Sequence, residues 1–171
     1  MKKTLLAMAP ALFAALMMSA CTTTSGGGDE RPQAAPSTAA TGYKGVQAFK
    51  DICLATAPSF RSALNIAKNR YGMTNLVDVA GLKFRMSPDN SLSAQVDDFA
   101  ECSITTPVFS GDRKALRAEF NAAVSRATGV KVPPDAERFQ ADFKGVPYAF
   151  THSMTGGEAF VMLNLKAPLP K

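Results

Sequence analysis

The strongest constraint on the fold is a series of short segments in which every second residue is apolar. This period of two is typical of β-strands that bury one face and expose the other. The last run is apolar at both parities, which predicts a central strand covered on both faces. The predicted strands are residues 82–86, 92–96, 101–108, 138–143, 148–154 and 159–166. Turn residues such as Lys144-Gly145 separate them, so we expect these strands to form an antiparallel sheet.

Apolar residues three or four positions apart predict helices in three other stretches. The first covers residues 46–56, and the second starts at Pro58 and ends at Gly72. The third follows the capping residues 110–112 and ends at Gly129. Both glycines stand where a left-handed residue commonly ends a helix.

The order of these elements is helix, three strands, helix, three strands, and it predicts a single α+β domain. We expect an antiparallel sheet with helices packed on one face, and the order is compatible with two helix-plus-three-strand halves. The composition supports a packed core, because 46% of the residues are hydrophobic and only 19% are charged. An intrinsically disordered chain, a collagen, a coiled coil and a polytopic membrane protein are excluded.

The N-terminus has the layout of an export signal. Lys2 and Lys3 precede an apolar run from residue 5 to residue 18, which is too short to span a bilayer comfortably. The run ends in Met18-Ser19-Ala20-Cys21, which resembles the lipobox of bacterial lipoproteins. The resemblance implies that residues 1–20 are a signal peptide. It also implies that Cys21 becomes the first residue of the mature protein and carries a diacylglycerol and further acyl chains such as palmitate.

The residues after Cys21 determine where such an anchor would lie. The inner-membrane retention signal of well-studied enteric bacteria has Asp after the cysteine, and this chain has Thr22, so the resemblance implies the outer membrane. Residues 22–42 contain no large apolar side chain, and we expect a disordered tether. The folded domain, residues 43–171, would then face the periplasm. The alternative is ordinary secretion with cleavage elsewhere and Cys21 as an unmodified thiol.

The charge of the chain is mildly basic. The formal net charge of +5 comes from 19 basic and 14 acidic residues, and removal of residues 1–20 leaves 17 basic residues and a net charge of +3. Such a surface is compatible with anionic glycans or phospholipid headgroups. Arg113, Lys114 and Arg117 predict a solvated basic helix face, and contact with an anionic partner is the alternative. Nucleic acid is not an expected partner, because no basic run is interleaved with aromatic residues.

Cys53 and Cys102 are the cysteines that remain after Cys21. In an oxidising compartment they predict a disulfide, which would close a loop of roughly 50 residues and stabilise the domain by about 4 kcal/mol. A redox-active pair is the alternative, but Cys-x-x-Cys spacing is absent and both cysteines lie on apolar faces. A structural disulfide is therefore the expectation.

His152 is the only histidine and the one weak candidate for a functional residue. It shares strand parity with Phe150, so a histidine in the core or at its rim is expected. A hydrolase would need His152 as a base beside a nucleophile. Ser103, Ser110 and Ser153 are available, but no Gly-x-Ser-x-Gly motif selects one of them, and we predict no catalytic residue.

The carboxylates do not form a recognisable metal or catalytic motif. Asp97, Asp98 and Glu101 are the densest group, and without EF-hand spacing they predict a solvated turn rather than a calcium site. No metal or cofactor is predicted, because the chain has few cysteines and one histidine. The other carboxylates considered as a glycosidase pair are Asp112, Glu119, Asp135, Glu137 and Glu158.

Three short elements carry a second resemblance, and they are Phe49-Lys50-Asp51-Ile52-Cys53, Pro58-Ser59-Phe60 and Cys102-Ser103-Ile104. Together they resemble small exported proteobacterial domains of unknown function, which have a Cys-x4-Pro-x-Phe element and a downstream Cys-Ser. Because that group has no established activity, the resemblance supports the disulfide and implies no mechanism.

These features predict an outer-membrane lipoprotein whose periplasmic domain is a non-enzymatic binding or structural module of the envelope. The alternatives are a hydrolase of envelope polymers with His152 as its base and a small protein that inhibits or adapts a periplasmic enzyme. The expected partners are the membrane, through the lipid anchor, and an envelope glycan or protein.

Overall fold

The structure is a computed structural model that describes residues 38–79, 82–97, 100–107, 113–155 and 160–167. The predicted signal peptide, Cys21 and most of the predicted tether lie outside these ranges. None of the helices within the ranges combines the length and the apolar character needed to cross a membrane.

The described residues form one antiparallel sheet of seven strands. The strands are β1 Asn75–Val79, β2 Leu82–Met86, β3 Ser93–Asp97, β4 Glu101–Pro107, β5 Arg138–Phe143, β6 Val146–Thr155 and β7 Phe160–Lys166. Their order across the sheet is β1-β2-β3-β4-β7-β6-β5. Helices pack on one face of this sheet, so the predicted α+β class is confirmed.

The helical elements are α1 Thr38–Ala48, a π-helical segment Phe49–Leu54, α2 Ala63–Tyr71 and α3 Arg113–Thr128. The π-helical segment continues α1 without a break, and we call the two together, residues 38–54, the α1 rod. α1 begins at Thr38, inside residues 22–42, the stretch expected to be a tether, so the last five residues of that stretch are helical.

α2 begins later than the sequence predicted. A helix was expected from Pro58, but the chain turns first and α2 starts at Ala63. Phe60 has a φ of 54°, in the left-handed region, and a right-handed helix cannot contain that conformation. The predicted helix ends are confirmed, since Gly72 with a φ of 65° ends α2 and Gly129 with a φ of 75° follows α3.

β1 is the strand that the sequence did not predict. Its apolar residues Leu76, Val77 and Val79 do not alternate, so the segment lacks the period of two. The strand forms because its backbone pairs with that of β2 in an antiparallel ladder, in which Val77 lies opposite Phe84. As an edge strand, β1 keeps most of its side chains exposed.

The sheet is built from two meanders, β2-β3-β4 and β5-β6-β7, which meet at the central pair of β4 and β7. Each meander follows a helix, and β1 is the extra strand of the first half. β7 is central as predicted, but Val161 and Leu163 are buried while Phe160 and Met162 are only partly buried. The expectation of cover on both faces is therefore wrong, because the described helices pack on one face.

The orientation of β2 differs from what its pattern predicts, because Arg85, and not the apolar residues of the strand, lies on the helical side of the sheet. Its guanidinium donates hydrogen bonds to the carbonyl oxygens of Met73 at 3.5 Å and Thr74 at 3.2 Å, on the helical side of the sheet. Alternation then places the apolar residues of β2 on the face that the described helices leave uncovered. Leu82 is 40% exposed there, and Phe84 lies opposite Gln95 of β3.

α1 approaches β4 very closely at Gly45. A Cβ atom added at Gly45 would lie 2.6 Å from Cβ of Thr106 and 2.7 Å from its Cγ2. After this contact along the chain, Val46, Phe49 and Ile52 are buried. Because Gly45 has no side chain, α1 can pack directly against β4 at this point.

We expect Gly45→Ala to lower the free energy of unfolding by up to about 2 kcal/mol. The alanine improves helix propensity by about 1 kcal/mol, but overpacking against a stiff β-branched side chain costs about 1–3 kcal/mol. Urea unfolding of the mature chain measures the difference, with Lys44→Ala on the exposed side of α1 as the control. A Gly45→Ala protein more stable than the wild type by about 1 kcal/mol, the full gain in helix propensity, would contradict the close contact.

Lys144 joins the β5–β6 hairpin to the end of the α1 rod. Lys144 and Gly145 form the predicted two-residue turn, and both have the positive φ that such tight hairpins require. The ammonium of Lys144 donates to the carbonyl oxygens of Leu54 at 2.9 Å, Ala55 at 3.1 Å and Ala57 at 3.0 Å. These carbonyls lie at the C-terminal end of a helix, where a cation is favourable.

Replacement of Lys144 by Met should lower the free energy of unfolding by about 1–2 kcal/mol, because three carbonyls lose a charged donor. Lys131→Met, at an exposed lysine for which the structure shows no such bonds, is the matched control. Both variants are compared by urea unfolding. Equal stabilities would mean that the hydrogen bonds of Lys144 contribute nothing to the free energy of unfolding.

Candidate functional site

The predicted disulfide between Cys53 and Cys102 is present. The Cα atoms are 5.5 Å apart and the sulfur atoms are bonded at 2.06 Å, which joins the π-helical segment to β4. Both residues are completely buried. Because thiol exchange requires an approaching thiolate, a disulfide enclosed in the core is placed for a structural role.

His152 lies on β6, on the side of the sheet that packs against the helices. It is 5% exposed, and its ring centroid is 6.4 Å from that of Phe120 on α3. Its backbone N–H donates to the carbonyl oxygen of Glu137 at 2.9 Å, while the Nε2 atom has no hydrogen-bond partner. Burial and, secondly, the positive charge of Arg117 lower the pKa of His152 to about 4, so the imidazole is neutral at pH 7.

The serines considered as nucleophiles are not brought to His152. Ser153 is its neighbour on β6 and therefore points to the opposite face. Ser103 lies on that opposite face too, in register with Asn164, and its Oγ is buried without a hydrogen-bond partner. Ser110 lies outside the described residues. The nearest carboxylate to consider as an orienting group, Glu137, is paired with Arg117 at 2.9 Å.

The acidic group at the β3–β4 junction is held by neighbours on the sheet. Asp97 lies opposite Glu101 in the ladder. Glu101 pairs with Lys166 at 3.0 Å and accepts a hydrogen bond from Asn164 Nδ2. Asp98 lies outside the described residues. Among the side chains that the structure describes, no three His, Cys, Asp or Glu residues are close enough to hold a metal ion.

The remaining charged candidates have ordinary surface partners. Glu119 lies 3.6 Å from Arg126, and Arg117 also donates to the carbonyl oxygen of Asp135 at 3.2 Å. Lys114 is exposed at the start of α3. Asp112 and Glu158 lie outside the described residues. Among the described members of this set, Glu119, Asp135 and Glu137, the contacts are with arginines rather than with a second carboxylate.

A groove that the sequence did not predict runs over the outer surface of the helices. It consists of two adjoining depressions, of about 440 Å³ and 500 Å³, which share Asp51 and Ala55. We call it the helical groove. The first depression is lined by Lys50, Leu54, Ala123, Arg126, Ala127 and Phe143. The second is lined by Ser62, Asn65, Ile66, Asn69 and Arg70.

Asp51 lies at the junction of the two depressions, and three neighbours contact its Oδ2 atom. Its carboxylate accepts hydrogen bonds from the hydroxyl of Tyr71 and from Gln47 Nε2 at 2.9 Å. It also pairs with Arg70 at 3.2 Å. Burial and the hydrogen bond to the Asp51 carboxylate raise the pKa of Tyr71. The cluster ties the π-helical segment to α2 and leaves the negative charge of Asp51 compensated.

Sequence reasoning could not locate this groove. Asp51 and Tyr71 are 20 residues apart, and the other wall comes from α3. The π-helical geometry of residues 49–54 also changes which side chains share a face, so a period of 3.6 does not describe the segment. The one local signal was the charged pair Lys50-Asp51 within an otherwise buried run.

Comparison with known proteins gives no relative. No family model matches the chain, and neither curated proteins nor solved structures contain a match.

The stability of the domain should fall in weak acid because of His152. Above its unfolded pKa of about 6.5 the histidine is neutral in both states. Below that pH the unfolded chain takes up a proton, whereas the folded chain does not until its pKa of about 4. Stability is therefore lost as the pH falls from 6.5 to 4, by about 2–3 kcal/mol in total.

The measurement is urea unfolding at pH 7.0, 5.5 and 4.5 for the wild type and for His152→Gln. Since the chain has one histidine, the difference between the two proteins isolates its titration from that of the carboxylates. We expect the wild type to lose more stability than the variant on acidification. Parallel pH profiles would refute the buried neutral imidazole.

Proposed function

We propose that this chain is a lipid-anchored protein of the bacterial cell envelope whose α+β domain is a non-enzymatic binding module. Cys21 would carry the acyl chains that hold the protein on the outer membrane, with the domain in the periplasm. The lipobox-like motif Met18-Ser19-Ala20-Cys21 after an apolar run supports the anchor. The Cys53–Cys102 disulfide supports an oxidising compartment.

The observation that carries the binding role is the helical groove. Its walls come from the π-helical segment, α2 and α3. The disulfide, the Asp51 cluster and Lys144 fix the first two, and α3 packs on the π-helical segment through Phe120 and Phe49, whose ring centroids are 5.0 Å apart. A preformed groove loses little conformational freedom when it is occupied. Such a surface suits the capture of a partner better than the conversion of a substrate.

The rival hydrolase would depend on His152 as a general base. A base needs hydrogen-bond access to a nucleophile, and its pKa works best near the operating pH. His152 is 5% exposed, its pKa is lowered to about 4, and the described serines face away from it. The geometry therefore favours a binding module over catalysis at this residue.

Intact mass spectrometry of the protein purified from membranes tests the proposal. We expect a mass that begins at Cys21 and includes acyl chains, with Cys53 and Cys102 alkylated only after reduction. A Cys21→Ser variant should leave the membrane fraction and provides the control. An unlipidated mass in the wild type would refute the anchor, and alkylation of Cys53 and Cys102 without reductant would refute the oxidised compartment.

A further inference from the structure

The helical groove carries more positive than negative charge. Its lining includes the cations of Lys50, Arg126 and Arg70 and a single carboxylate, that of Asp51. Asp51 is already bound by Arg70 and by Tyr71, and it is 16% exposed at its side chain. Arg70 and Arg126 are more accessible, since their side chains are 63% and 62% exposed. Lys50 is partly buried, and its ammonium donates a hydrogen bond to Gln47 Oε1 at 2.9 Å.

We infer that the helical groove is the docking site for an acidic segment of a partner protein. Carboxylates on the segment would pair with Lys50 and Arg126 on one side and with Arg70 on the other. Glu119, the carboxylate near Arg126, lies at 3.6 Å with 44% of its side chain exposed, so it competes only weakly for that guanidinium. Complementary charge of this kind directs encounter and selects partners.

The lining of the groove favours a protein segment over a lipid chain. Ala55, Ala123 and Ala127 have short side chains, which allow another backbone to come close. In the second depression Asn65 and Asn69 supply amide donors and acceptors, which an acyl chain could not use. A peptide offers both the apolar contacts and the hydrogen bonds that such a lining requires.

The inference rests on the proposed binding role, but it does not depend on the lipid anchor. The experiment uses the full chain in the host that naturally makes it, with a photo-reactive p-benzoyl-phenylalanine at Ala127 or at Asn69, one in each depression. Gln140, exposed on the face of the sheet away from the helices, is the control position. Mass spectrometry of the cross-linked peptide identifies the captured segment.

We expect the same protein segment, rich in Asp and Glu, to be captured from both groove positions and not from Gln140. Lys50→Glu with Arg126→Glu should lower the yield at least about fivefold, because two favourable pairs become repulsive. Lys83→Glu with Lys131→Glu gives the same change in net charge outside the groove lining and should leave the yield unchanged. Replacing the captured carboxylates by Lys should restore capture by the Lys50→Glu, Arg126→Glu protein.

Other outcomes overturn the inference in distinguishable ways. Capture from Gln140 alone would leave the binding role and refute the groove. An adduct with lipid, or with a segment that lacks an excess of carboxylates, would refute the acidic protein partner. No adduct at any position would refute both the groove and the binding role. Urea midpoints that match that of the wild type show that the charge variants remain folded. Lys50→Gln with Arg126→Gln removes the positive charges without adding negative ones, so it should lower the cross-linking yield less.

Discussion

The position of the helical layer on the sheet depends on the packing of α1 and the π-helical segment against β4. Gly45 lets the rod touch Thr106 towards one end of β4, and the disulfide between Cys53 and Cys102 fixes it towards the other. Lys144 holds the carbonyls where the rod ends. One wall of the helical groove is this rod, so a shift of α1 on the sheet would change the spacing to α2 and α3.

The features that the sequence predicted correctly have local signals. Alternation with a period of two predicted β2 to β6, a continuous apolar run predicted β7, and glycine predicted the helix ends at Gly72 and Gly129. Two cysteines in an apolar context predicted the disulfide, although they are 49 residues apart, because no other pairing was available once Cys21 was assigned to the anchor. The fold class followed from the order of these elements.

The features that escaped prediction depend on contacts between distant residues. The pattern of β2 predicts that its apolar residues face the helices, but Arg85 lies on that side and donates to the carbonyl oxygens of Met73 and Thr74. The residues next to Arg85 in the chain contain no signal for these hydrogen bonds. β1 forms through its ladder with β2 rather than through its own pattern. Lys144 reaches carbonyls about 90 positions away, and Asp51 meets Tyr71 across 20. The helical groove arises from such pairs, which a linear pattern does not contain.

The exposure of the groove cations limits how tightly it can hold a partner. An exposed ion pair contributes about 0–1 kcal/mol and is screened by salt, so in the proposed complex Arg70 and Arg126 would confer selectivity more than affinity. A modest affinity is sufficient when two partners are confined to one membrane, since the confinement raises their effective concentration. The proposed acyl anchor at Cys21 would supply that confinement. In this proposal the anchor and the groove would be complementary parts of one binding function, in which the lipid would keep the protein at the membrane and the basic groove would select the partner.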